Sequence, residues 1–181
     1  FLYLGNIGPL AGVEYLMESF AQTDVDGLQL IIAGDGSRKR SCVELARDLG
    51  DDRIHFVSDP DVANVPLLQA MGHVCLLPLK AGSGGSSVPS KLMAYMLSCR
   101  HVLATVDSDS DTARAVREAD CGWIGPPEDQ AWLTAAMLRV AQMPPSDLAR
   151  LGQRGREYGI REFSRTQGVE RLADLVLRCA D

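Results

Sequence analysis

The segment VCLLPLKAGSGGSSVPSKLMAYM, Val74 to Met96, decides how the chain is read. It opens with VCLLPL (74–79), an apolar run of strand length. It closes on a helical pattern that starts at Pro89, a residue suited to a first helical turn, with Val88 or Ser87 at the helix entrance. The eight residues 83–90 between them include four serines and two glycines. The order is therefore strand, small polar loop, helix. A loop that only turns can be shorter. A loop that brings backbone N–H groups and hydroxyls up to an anion looks like this one, because a helix N-terminus offers unpaired donors and the positive end of the helix dipole. The plainer alternative is a surface loop with an ordinary N-cap. Helical spacing places Leu92, Met93, Met96 and Leu97 on the core side of this helix. Lys91 and Ala94 then fall away from that stripe, beside the loop. Serine hydroxyls, free N–H groups and one lysine converge on a phosphate or diphosphate site at Ser86, Ser87, Val88, Pro89, Ser90 and Lys91.

The same alternation extends in both directions. FLYLG (1–5), LQLIIAG (28–34), RIHFV (53–57), HVCLLPL (73–79), HVLATV (101–106) and CGWIG (121–125) read as strands. Between them, residues 12–22, 37–49, 62–71, 89–98 and 111–119 read as helices, with Ser37 as an N-cap, Gly50 as a stop and Pro66 inside the third. Residues 131–142, 145–158 and 164–179 add a helical C-terminal third that wraps the sheet or leads toward a partner domain. Strands separated by helices of this length give βαβ units and a six-stranded parallel sheet. Several strands are apolar at nearly every position, as strands covered on both faces must be.

Composition sets the outer limits. The chain has 181 residues, 46% hydrophobic and 23% charged, which fits one domain with a full core. A net charge of −6 argues against a general nucleic-acid or anionic-membrane surface. Five cysteines, odd in number and far apart, suggest neither a disulfide framework nor a zinc knuckle. No apolar run approaches the ~20 residues of a membrane helix. The chain opens on Phe1 without a signal-peptide pattern and reads as a piece of a longer polypeptide.

In an open parallel sheet, ligands bind at the carboxyl ends of the strands, so the strand-to-helix loops matter most. GNIGPLAG (5–12) carries Gly5, Asn6 and Gly8 ahead of a helix. It serves either a tight turn or close backbone approach to a phosphate. AGDGSRKR (33–40) places Gly34 and Gly36 before a basic first turn that contains Arg38. Cations there oppose the helix dipole unless an anion is near, and the alternative is a solvated turn. The three histidines, His55, His73 and His101, lie in or at the start of strands and read as structural. Asp35, Asp59, Asp61, Asp107, Asp109 and Asp111 read as solvated loop residues or helix caps.

These residues resemble the C-terminal, donor-binding domain of GT-B glycosyltransferases of family 4 ("group 1"). The bacterial enzymes of capsule, O-antigen and colanic-acid synthesis look nearest. The resemblance runs through YLGNIGPLAGVEYL (3–16), LQLIIAGDGS (28–37), HVCLLPLKAG (73–82), VPSKLMAYM (88–96), CGWIGPPED (121–129) and LGQRGREYGIREFS (151–164). It implies a Rossmann-like three-layer α/β sandwich that holds a UDP- or GDP-linked sugar donor as substrate, with no cofactor and no metal. It also implies that the whole chain, 1–181, is one such domain, facing an N-terminal domain that would bind a saccharide or lipid-linked acceptor. Transfer would retain anomeric configuration. The location implied is cytoplasmic, peripheral at the inner membrane through the N-terminal domain.

On that resemblance Gly5, Asn6, Gly8, Gly34 and Gly36 approach the diphosphate, and residues 86–90 bind phosphate. Lys91 is the catalytic cation, with Lys80 and Arg38 behind it. Ser58 and its neighbours to Pro60 lie near the base. Two positions depart from the family pattern. Ser86 and Ala94 stand where many relatives carry glutamates that touch the sugar and the ribose. The first glycine loop, Gly8 to Gly12, also lacks the cation common in relatives. A degenerate domain that binds a nucleotide or a partner without catalysis is the second reading. A GT-B-fold epimerase is the third, and it would need catalytic acids and a histidine in the cleft.

Overall fold

The structure, a computed structural model, describes residues 1–58, 61–82 and 89–180. In chain order the elements are β1 (Leu2–Leu4), α1 (Val13–Ala21), β2 (Leu30–Ala33), α2 (Lys39–Leu49) and β3 (Ile54–Val57). A 3-10 turn at Val62–Asn64 leads into α3 (Val65–Met71), β4 (Val74–Pro78), α4 (Ser90–Leu97) and β5 (His101–Thr105). Next come α5 (Asp111–Ala119), β6 (Gly122–Gly125), α6 (Gln130–Ala141), α7 (Pro145–Phe163) and α8 (Arg165–Ala180).

All strand pairs are parallel, in the order β3-β2-β1-β4-β5-β6. β1 pairs with both β2 and β4, so the chain leaves β1 in one direction and later resumes on its other side. Every residue of β4 and of β5 is buried, which is why both strands read as unbroken apolar runs. Val13, Leu16, Met17 and Phe20 of α1 and Leu133 and Met137 of α6 cover one face of the sheet. Leu92, Tyr95 and Met96 of α4, Val116 of α5 and Tyr158 of α7 cover the other. The result is the expected three-layer α/β sandwich.

Several local expectations shift. The helix expected over 62–71 splits: a 3-10 turn precedes α3, and Pro66 falls in the first turn of α3, where its missing N–H costs nothing. The cap of α2 is Arg38, not Ser37, and no side chain closes it. Pro89 is the extended N-cap of α4 rather than a first-turn residue; its carbonyl accepts from the Leu92 N–H at 2.9 Å. The core stripe of α4 is Leu92, Tyr95 and Met96, while Leu97 is 44% exposed. Tyr95 can take the core position because its hydroxyl is satisfied there. It accepts from the Leu4 N–H at 3.0 Å and donates to the Leu4 carbonyl at 3.2 Å. Finally, α7 runs on to Phe163, beyond the expected end at Tyr158. Gly152, Gly155 and Gly159 let it lie close on neighbouring chain; a Cβ on Gly152 would meet the Cys99 carbonyl.

Candidate functional site

The strands on either side of β1 continue to opposite sides of the sheet. The crevice at the carboxyl ends of β1 and β4 is thus the point where the topology reverses, the usual ligand position in such sheets. The loop after β1 forms one wall and the start of α4 the other.

The first wall is two loops packed backbone on backbone. The Gly5 N–H donates to the Ala33 carbonyl at 2.9 Å, and the Ile7 N–H to the Asp35 carbonyl at 2.8 Å. The Arg38 N–H returns a bond to the Ile7 carbonyl at 3.0 Å. Gly34 has φ +137° and Gly36 φ +156°, and a Cβ on either would run into the carbonyl oxygen of Gly5 or Ile7. This inter-loop contact by itself requires both glycines. The Asn6 side chain lies between the loops: a Cβ on Gly36 would come 2.6 Å from its Oδ1, and one on Gly8 2.8 Å from its Nδ2.

Lys91 forms the second wall. Its side chain leaves the first turn of α4, crosses the face of Gly5 and ends on β1. Nζ donates to the Tyr3 hydroxyl at 2.8 Å and sits 4.5 Å from the centre of the Tyr3 ring. The Tyr3 hydroxyl in turn donates to the Asn6 carbonyl at 2.6 Å. Burial pulls the Lys91 ammonium down to about 8. Among the described residues no carboxylate lies within ion-pair distance of it. A half-buried cation without a counter-ion is what an anion site requires.

The other sequence candidates divide. Gly5, Asn6, Gly8, Gly34, Gly36 and Lys91 come together. Ala94 is half-buried, one turn beyond Lys91, and brings no polar side-chain atom. Pro89 and Ser90 stand at the entrance of α4. The Lys80 N–H donates to the Leu10 carbonyl at 3.3 Å, which joins the β4 loop to the first wall. Arg38 belongs to that wall through its backbone, but its guanidinium turns to Glu14 on α1 at 3.6 Å. Ser58 follows β3 at the sheet edge, two strands from β1, or about 10 Å. It is not brought next to Lys91. Ser86, Ser87 and Val88 lie outside the described residues, as do Asp59 and Pro60.

On its β5 side the crevice turns acidic. Asp107 accepts from the Gly82 N–H at 3.0 Å and, with Asp109, Ser110 and Asp111, lines a cavity of about 430 Å³. Among the described residues no group of three His, Cys, Asp or Glu could hold a metal ion. His101 lies at the opposite end of the sheet, edge-on to Trp123 at 5.2 Å, and burial pulls it down to about 4, so it stays neutral. Sequence reasoning missed Tyr3. Its signal was a tyrosine in a strand buried on both faces, where the hydroxyl must find a partner.

The family described as "Glycosyl transferases group 1" matches residues 1–143. The chain is 25% identical over 176 residues to the probable glycosyltransferase WbjE of Pseudomonas aeruginosa, covering 97% of this chain and 43% of that protein. It thus spans less than half the length of this curated relative. Among solved structures, Anabaena Alr3699/HepE in complex with UDP and glucose superposes with a TM-score of 0.80 at 16% identity, over 97% of this chain and 47% of that one. The C-terminal domain of the group 1 family protein LpcC from Francisella tularensis superposes with a TM-score of 0.72 at 14% identity, over 91% of this chain and 87% of that one.

Proposed function

The chain belongs to the group 1 glycosyl transferases, and from that premise we propose that it is the donor-binding domain of a retaining transferase. The donor is a sugar linked to a nucleoside diphosphate, and the acceptor is a surface polysaccharide or its lipid-linked precursor. One observation carries this reading: the uncompensated Lys91 ammonium at the β1–β4 crevice, between a helix N-terminus and two glycine-bared loops. As the bond between sugar and diphosphate breaks, negative charge grows on the leaving group. Lys91 and the N-terminal end of α4 are placed to offset that charge. The UDP in the HepE complex supports a uridine donor among the candidates. The polypeptide's own N-terminal half would bind that acceptor. The exposed apolar stripe of α8 supports the presence of that half, since Val169, Leu172 and Val176 are each about 60% exposed.

A second reading, binding without catalysis, is favoured by Ala94. It stands one turn from Lys91 where a ribose-binding carboxylate is common in the family, and its methyl side chain cannot form a hydrogen bond.

Calorimetric titration of the full-length protein with UDP, GDP, ADP and their monophosphates tests the proposal. Selective binding of one diphosphate, together with turnover of the matching nucleotide sugar, is the expected result. Binding without turnover on any acceptor extract selects the second reading. No binding by the full-length protein sinks the donor-site reading and the nucleotide form of the second, leaving only a domain that binds a partner.

A further inference from the structure

We propose that Tyr3 is the positioning residue for Lys91, holding the ammonium at the crevice and coupling it to the loop after β1. This rests on the donor-site reading for its purpose, but not for its geometry. A lysine on the first turn of a helix has a four-carbon stem and free access to water, and an unheld ammonium would go there. Lys91 instead lies down across the sheet. Three contacts hold it: the Tyr3 hydroxyl at 2.8 Å, the Tyr3 ring at 4.5 Å and the bare face of Gly5. Two of the three belong to Tyr3.

The direction of the bonds follows from chemistry. An ammonium has donors only, so the Tyr3 oxygen must accept from it. The phenolic proton is then committed to the Asn6 carbonyl at 2.6 Å. A charged Lys91 therefore fixes the orientation of the hydroxyl and, through it, ties down the turn at Asn6. That turn is the one whose side chain lies between Gly8 and Gly36. The anchor is rigid. Tyr3 is fully buried in a central strand, paired with β2 opposite Ile32. Tyr95, one turn beyond Lys91, locks α4 to the Leu4 backbone of the same strand. Lys91 and its anchor thus sit on two elements whose separation is fixed. Among the described residues, Cys42 on α2 and Tyr95 on α4 bear on Tyr3, and Cys75 on β4 bears on Tyr95; burial pushes all three up, so they are neutral near pH 7. They bring no charge that could replace Tyr3 in holding the ammonium.

Tyr3→Phe tests this, because it keeps the ring and nearly all the volume and removes only the hydroxyl, which accepts from Lys91 and donates to the Asn6 carbonyl. In ligand-free full-length protein carrying ¹³Cε-lysine, the Lys91 signal is assigned by its loss in Lys91→Met and titrated by NMR. Tyr3→Phe should lower the Lys91 midpoint, since a hydrogen bond to the charged form is lost. It should also weaken UDP binding by roughly tenfold, the loss expected for one charged hydrogen bond. In a Lys91→Met background the same substitution should leave UDP affinity unchanged, because its effect passes through Lys91. A Lys91 midpoint unmoved by Tyr3→Phe overturns the proposal, whatever nucleotides do. Equal weakening of UDP binding by Tyr3→Phe with and without Lys91 also overturns it and leaves Tyr3 a packing residue. If wild-type protein binds no diphosphate while the midpoint still shifts, Tyr3 holds Lys91 as proposed, and it is the donor-site reading that fails. The thermal midpoint of each variant separates these effects from unfolding.

Discussion

Lys91 holds its charge against its surroundings. Burial lowers it to about 8 from the ordinary 10.5, so between those values the folded chain binds fewer protons than the unfolded one. Stability therefore rises with pH across that window, and below about 8 the charged group is a burden to the fold. A docked diphosphate works against that lowering, because an anion favours the protonated form and raises the group. Diphosphate binding should take up a proton near pH 8, and affinity should fall above it, by up to about tenfold per pH unit. Calorimetry in buffers of different ionisation enthalpy reads both effects, and an affinity that stays level from pH 7 to 9.5 would remove Lys91 from the site. Lys91→Ala should abolish the pH dependence and cost about 1.5–3 kcal/mol of binding, the range for hydrogen bonds to charged groups. Ala94 leads to a separate expectation at the same scale. With no carboxylate there to meet the ribose, UDP and 2′-deoxy-UDP should bind alike, and a marked preference for UDP would mean that another residue reads the hydroxyl.

The loops and the elements they join obey a different constraint, the space between backbones. Gly50 ends α2 at φ +62° with nothing within 4 Å of a built Cβ, so Gly50→Ala costs only the left-handed conformation, about 1 kcal/mol. Gly36→Ala must bear the strain of φ +156° and also push a methyl into the Ile7 carbonyl. Urea melts should show Gly36→Ala to be the more destabilising by at least about 1–2 kcal/mol, the typical cost of overpacking, and equal losses would mean that the two loops part freely. These glycines show where sequence reading stops. Their presence between strand and helix was legible, and so were the six strands, because buried parallel strands are apolar throughout and helices start and stop on recognisable residues. What each glycine touches was not legible, since Gly36 meets Ile7 and Gly34 meets Gly5 across a gap of some thirty residues. The same limit hid Tyr3 from Lys91, 88 positions away. It also misplaced the stripe of α4. Hydropathy favoured Met93 and Leu97, but Tyr95 gains the core position through two bonds to the Leu4 backbone.

At the scale of the molecule, both faces of the sheet are covered, yet α8 carries an apolar stripe that stays exposed among the described residues. Val169, Leu172 and Val176 follow one another at helical spacing and are 59%, 61% and 60% exposed. The hold of α8 on the rest of the chain is partly polar, through Arg171 on Glu162 at 2.6 Å, and that guanidinium, with Arg161 on the same carboxylate, lowers Glu162 from its usual range. Soluble monomers seldom leave such a stripe bare. The chain spans 43% of the length of its WbjE relative, so the proposed N-terminal half is the natural cover. This can be tested without knowing any substrate. Leu172→Glu with Val176→Glu should leave the melting temperature of the 181-residue chain nearly unchanged, because both side chains are already in water. It should also reduce self-association in sedimentation. In the full-length protein the same pair should lower stability by roughly 3–6 kcal/mol, the transfer cost of two side chains that would there be buried. A loss of stability confined to the full-length protein requires that the stripe is an interface between halves of one polypeptide. A neutral result at both lengths would show that α8 stays exposed, and the partner half would then have to dock through the crevice rim instead.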